Sequence, residues 1–178
     1  MRALGPGSVS SFLKIILDVV YVALWIGVGA LGLLALVAIL LSFNPEFIKG
    51  TIFISGDEGN DFTATGGTMA AGIAAAGLYI GGVLIIVGRL RRIFATLTAG
   101  DPFHPDNVRR LRVIGLVLAG LELGRYVFWA FSAWALPGVN AEEQGLSLTT
   151  WFSVLVVFVL AEVFREGARL RREAELTI

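Results

Sequence analysis

Four stretches of the chain carry little or no charge: Val19–Phe43, Thr68–Gly88, Val113–Leu136 and Leu148–Phe164. A helix that crosses the hydrocarbon of a bilayer needs about 20 mostly apolar residues. The first three stretches meet that length as they stand. The fourth is short as an apolar run and is expected to continue as a helix through Glu162 and Arg169, whose long side chains can reach the interface. The pattern therefore predicts an all-α membrane protein of four transmembrane helices in a single domain, with spans at about 14–43, 68–90, 110–136 and 148–170. The first span is too long for the core of a cleaved signal, about 7–15 residues. Phe43, Asn44 and Pro45 end it, and no A-x-A site follows.

Charge gives those spans a direction. Arg2 and Lys14 precede or open the first span, and Arg89, Arg91, Arg92, Arg109, Arg110 and Arg112 lie between the second and third. Arg165, Arg169, Arg171 and Arg172 follow the fourth. The two other loops hold Lys49 alone against Glu46, Asp57, Glu58, Asp61, Glu142 and Glu143. Short loops rich in Lys and Arg stay cytoplasmic, so both termini and the middle loop are expected in the cytosol. A bacterial cytoplasmic membrane suits that arrangement. Trp129, Trp134 and Trp151 fall near the outer ends of spans three and four, where an aromatic belt belongs.

Composition agrees. Of 178 residues 56% are hydrophobic and 16% charged, against about a quarter charged in soluble domains. Mean hydropathy is +0.81. The formal net charge of zero conceals a separation of bases from acids along the chain. There is no cysteine, which excludes disulfides, thiolate metal sites and cysteine nucleophiles. One histidine, His104, cannot make a histidine-based metal centre by itself. No cofactor or metal is expected, and no nucleophile–base pair stands at a readable spacing, so catalysis is not expected either.

In the first outer loop, Thr51–Ser55 and Phe62–Thr65 are β-prone runs around an acidic Gly/Asp/Asn turn, which suggests a small β-hairpin. The turn could attract a cation, yet it lacks the spacing of a calcium loop. Small residues point to close helix approach: Gly27, Gly29 and Gly32 in span one, and the GxxxG steps Gly77–Gly81 and Gly120–Gly124. They would serve contacts within the chain or a homodimer seam.

The costliest residues are charges inside the spans. Glu122 and Arg125 stand three apart on one helical face, with Asp18 and Glu162 nearer the ends of spans one and four. A lone mid-helix charge costs about 2.5–3.5 kcal/mol on insertion scales. These four residues are expected to form a charge network in which Arg125 answers the carboxylates. Such a network either fixes helix register or makes a proton or ligand site.

The middle loop has the sharpest local pattern. Leu90, Ile93, Phe94 and Leu97 keep helical spacing, Gly100 ends that helix, and Pro102 and Pro105 forbid its continuation. Asp106 is expected to cap a helix starting at Asn107. Pro102, Phe103, Arg109 and Arg110 then form an elbow that binds lipid phosphates or a protein. Phe103 could anchor a partner, dip into the lipid interface or tuck beneath the span ends. No nucleic-acid recognition module is present, and the arginines are explained by orientation.

The segment Leu97-Thr-Ala-Gly-Asp-Pro-Phe103, the helix start Asn107-Val-Arg-Arg-Leu-Arg-Val-Ile-Gly115 and the tail Val163-Phe-Arg-Glu-Gly167 with Glu173–Ile178 resemble the bacterial membrane family catalogued as domain of unknown function 2975. The resemblance implies four helices, an inner-membrane location and no established activity. Members are often encoded beside a small helix-turn-helix regulator, which implies a membrane partner for a transcription factor. Two functions are thus expected. The first is a non-enzymatic regulator or accessory subunit that binds a cytosolic partner. The alternative is a small transporter or channel subunit using the intramembrane charges.

Overall fold

The structure, a computed structural model, describes residues 9–42, 53–54, 62–63, 66–135 and 145–176, with side chains for 12–40, 72–132 and 145–176. Four long helices account for almost all of it: α1 Val9–Ser42, α2 Gly66–Thr98, α3 Pro105–Ala135 and α4 Leu148–Glu175. Each is long and apolar enough to cross a membrane. They contain 34, 33, 31 and 28 residues, so at about 1.5 Å per residue they run about 42–51 Å. A hydrocarbon core is about 30 Å thick. The helices therefore exceed the expected spans and the thickness of a hydrocarbon core. Arg89–Thr98 continues α2 without a break, and Arg165–Glu175 continues α4 in the same way.

Two short strands, β1 Phe53–Ile54 and β2 Phe62–Thr63, pair antiparallel, with Phe53 opposite Thr63 and Ile54 opposite Phe62. The acidic turn Asp57–Asp61 lies outside the described residues, as do Lys49, Glu142 and Glu143 and the side chain of Trp134.

The chain divides into two compact units. The first comprises Met1–Leu24, Gly82–Glu122 and Leu146–Ile178. Its core is a cluster of Ile93, Leu111, Ile114 and Ala161, with Leu90, Leu97 and Phe164 packed against it. The second comprises Trp25–Gly81 and Leu123–Gly145, and within it Ala38 is buried. Large apolar side chains along α1, such as Phe12, Ile26 and Leu33, are exposed, as lipid-facing residues should be.

Local chemistry sets the helix ends. Gly100, at φ +83°, takes the left-handed position that closes α2. Its N–H donates to the Leu97 carbonyl at 3.1 Å, and the Asp101 N–H donates to the Thr96 carbonyl at 3.0 Å. This is a Schellman motif, which satisfies carbonyls the helix end would otherwise leave bare. The start of α3 differs from expectation. Asp106 is not the cap: the helix begins at Pro105, and His104 Nδ1 accepts from the Asp106 N–H at 3.2 Å. Proline suits the first helical position because its missing N–H would have had no partner there. Asp106, inside the first turn, adds its charge to the favourable end of the helix dipole. At α4, Ser147 caps through its side chain, which accepts from the Thr150 N–H at 3.4 Å.

The close-approach glycines are not those of the GxxxG steps. A Cβ placed on Gly77, Gly81, Gly120 or Gly124 would meet nothing within 4 Å among the described residues. At Gly82 it would stand 2.6 Å from Leu121 Cδ2, at Gly115 3.0 Å from Phe158 Cε2, and at Gly167 2.5 Å from the Phe103 ring. Spacing identifies which glycines share a face, but the packing partner decides which face is used.

Candidate functional site

The elbow between α2 and α3 is held from inside by Asn107, whose side chain has no solvent exposure. Its Nδ2 donates to Thr96 Oγ1 at 2.8 Å and to the Pro102 carbonyl at 3.1 Å. Its Oδ1 accepts from Arg110 Nη1 at 2.9 Å, and the same Arg110 nitrogen reaches the Arg92 carbonyl at 3.2 Å. Thr96 in turn donates its hydroxyl to the Ile93 carbonyl at 2.7 Å. One buried amide thus ties the last turn of α2, the proline turn and the first turn of α3. A buried polar side chain is tolerable only when its hydrogen bonds are made, and here they are.

From outside, α4 clamps the same turn. The Phe103 ring packs on Phe164 with centroids 5.8 Å apart and planes tilted by 54°. It lies over Gly167, where any Cβ would collide with it. Phe103 keeps 37% exposure but occupies the tucked position. Arg171 reaches Asp101 across the turn and Glu175 on its own helix, the latter at 3.0 Å. Arg171 stands just past the fourth span expected from the sequence, which ends at about 170. The hydrogen bond that Arg171 donates to Asp101, then the Asp101 charge, then Glu175 hold the guanidinium pKa above its ordinary value.

Two of the four residues expected in the charge network, Asp18 and Glu162, have arginine partners. Asp18 meets Arg91, Nε to Oδ1 at 2.5 Å, and the Arg91 guanidinium lies 4.3 Å over the Tyr21 ring. Glu162 pairs with Arg165 one turn on and with Arg112 at 3.8 Å. Thus Asp18 and Glu162 are answered by arginines of the basic segments. Arg91, Arg112 and Arg165 are carried on α2, α3 and α4, at turns beyond the uncharged part of each helix. Glu122 is buried at 6% exposure, while Arg125 is half-buried with its guanidinium 4.9 Å over Tyr126.

Sequence reasoning singled out Pro102, Phe103, Arg109 and Arg110. The structure brings Pro102, Phe103 and Arg110 into the elbow's internal bonding, and leaves Arg109 exposed. It missed the roles of Asn107, Arg91, Asp101, Gly167 and Arg171. An amide in the first turn of a helix and a lone glycine within the charged tail were the available signals.

Beside the elbow, the start of α3 and the polar end of α4 border a groove of about 520 Å³. Pro105, Val108 and Ala168 give it apolar walls, and Arg165, Glu166, Arg169 and Arg172 ring it. Arg169 is shared with Glu166 at 2.8 Å and Glu173 at 3.4 Å. Among the described residues, no His/Asp/Glu group is assembled for a metal ion.

Four membrane-length helices define a multi-pass helical membrane protein. Residues 20–178 match the family described as protein of unknown function (DUF2975), and the chain belongs to that family. No curated protein and no solved structure matches it.

Proposed function

We propose that the protein is a non-enzymatic regulator or accessory protein of a bacterial cytoplasmic membrane. Both termini and the elbow face the cytosol, and β1–β2 form a hairpin outside. The groove beside the elbow holds a cytosolic protein partner, a small helix-turn-helix regulator being the first candidate. The observation that carries the reading is the preformed character of this surface. Asn107 fixes the elbow from inside, and Phe103 and Arg171 fix it from outside. The basic groove is therefore presented without an ordering cost on binding.

Arg109 and Arg172 have no carboxylate within ion-pair distance among the described residues. They can steer an acidic partner and raise its on-rate. Phe103 supports the surface from beneath and is not the anchor. The buried Glu122 favours the runner-up, a small transporter or channel subunit.

The test is co-purification of the detergent-solubilised protein with any helix-turn-helix protein encoded beside its gene. Arg172→Glu should lower recovery of the bound protein while leaving the membrane protein intact. Equal recovery with wild type and variant removes the groove from the argument. No recovery with either, together with ion flux in liposomes, favours the transporter.

A further inference from the structure

A second groove, of about 610 Å³, lies in the first unit between the beginning of α1 and the later turns of α2. Lys14, Asp18 and Tyr21 line it from α1, and Gly88, Arg89 and Arg92 from α2. Its apolar wall is Leu84 and Ile85, one to two turns further into the span. We propose that this groove binds an acidic phospholipid, its phosphate held by Lys14, Arg89 and Arg92 and an acyl chain laid along Leu84 and Ile85. The proposal rests on the four-span reading and is independent of the cytosolic partner.

Three observations converge on it. Asp18 neutralises Arg91 at 2.5 Å, and Tyr21 covers the Arg91 guanidinium, so this pair forms a wall of the groove and not its anion ligand. Lys14, Arg89 and Arg92 have no carboxylate within ion-pair distance among the described residues, which leaves three uncompensated cations around one groove. Orientation of the chain accounts for bases on this side of the membrane. It does not account for their convergence from two helices.

Gly88 contributes to the shape. Tyr21 Cε2 lies 3.6 Å from where a Gly88 Cβ would stand, so the ring packs against α2 at that point. The combination of a cationic rim and an apolar wall within the span suits an amphiphile better than a free anion. Arg supplies donors matched to phosphate oxygens, and Lys a point charge.

The test uses the full chain in detergent, titrated with phosphatidylglycerol, phosphatidylcholine or inorganic phosphate, with retained lipid counted by native mass spectrometry. Wild type should retain phosphatidylglycerol in preference to phosphatidylcholine and ignore inorganic phosphate. Each base near an anionic headgroup contributes about a factor of five. Arg89→Gln/Arg92→Gln should therefore weaken phosphatidylglycerol binding about 25-fold, and Lys14→Gln on the other helix about fivefold. Arg109→Gln/Arg172→Gln, remote from the groove, should leave it unchanged. Equal retention of the two lipids overturns the proposal. So does an unchanged affinity in both groove variants, or a loss as large in the remote variant. Competition by inorganic phosphate at matched concentration would assign the groove to a free anion instead of a lipid.

Discussion

Replacing Asn107 with alanine should separate a rigid elbow from an ordinary loop. The substitution deletes the bonds to Thr96, Pro102 and Arg110. Net hydrogen bonds are worth about 1 kcal/mol each, giving a loss of about 3 kcal/mol. The Pro102 carbonyl also loses the donor that Asn107 supplied. Alanine returns about 0.5 kcal/mol through its better helix propensity in the first turn of α3, so the net destabilisation is about 2–3 kcal/mol. For a chain of this size, about 2–4 °C of melting temperature accompanies each kcal/mol, which makes the expected fall about 5–10 °C. Thermal unfolding in detergent, followed by circular dichroism, measures it, with the exposed Arg109→Ala as the neighbouring control. Adding Arg110→Ala to Asn107→Ala should cost less than the sum of the two, because they share a bond. If Asn107→Ala and Arg109→Ala melt together within about 1 °C, the buried amide does not hold the elbow.

The native chain has no cysteine, so single cysteines at Ser55 and Thr98 report topology cleanly: an impermeant thiol reagent on intact spheroplasts should label Ser55→Cys and not Thr98→Cys, and the reverse pattern inverts the assignment. Phe103→Ala should lower stability by about 1–3 kcal/mol, below the 3–5 kcal/mol of a fully buried Phe, since the ring is packed on Phe164 but partly exposed; an unchanged melting temperature combined with loss of partner capture would restore Phe103 as a docking anchor.

The four helices were legible because membrane length and apolar composition are properties of the local sequence, independent of what each helix touches. Their ends were harder. The stop at Gly100 could be read, since a left-handed closing residue is a glycine's role. The start of α3 was misplaced by two residues because the His104 side chain took the capping role that Asp106 was expected to fill. Pairing was the least legible feature. Asp18 and Arg91 are 73 residues apart in the chain, and nothing in the spacing of either helix says that they meet. The GxxxG steps show the same limit, for Gly82, outside both steps, lies against Leu121, while a Cβ on Gly77 or Gly81 would meet nothing within 4 Å among the described residues.

The short segments that carry the family resemblance contain the residues that lock the elbow. Gly100 closes α2, Asp101 receives Arg171, Pro102 gives its carbonyl to Asn107, and Phe103 lies over Gly167. Asn107 and Arg110 sit in the second segment, Phe164 and Gly167 in the third. They are distant in sequence but fall within one unit and make one set of contacts. A span needs only to be apolar, and many sequences satisfy that. A turn whose buried amide must find three partners, and whose aromatic ring requires a glycine beneath it, accepts very few. The recognisable part of the chain is thus the part with the strictest packing demands. It follows that the motif specifies the shape of the elbow, while on the reading proposed above the exposed bases around that shape carry the function. Arg109 and Arg172 are exposed and can be exchanged at little cost to the fold, whereas losing Asn107 removes three hydrogen bonds and a Cβ at Gly167 would collide with the Phe103 ring.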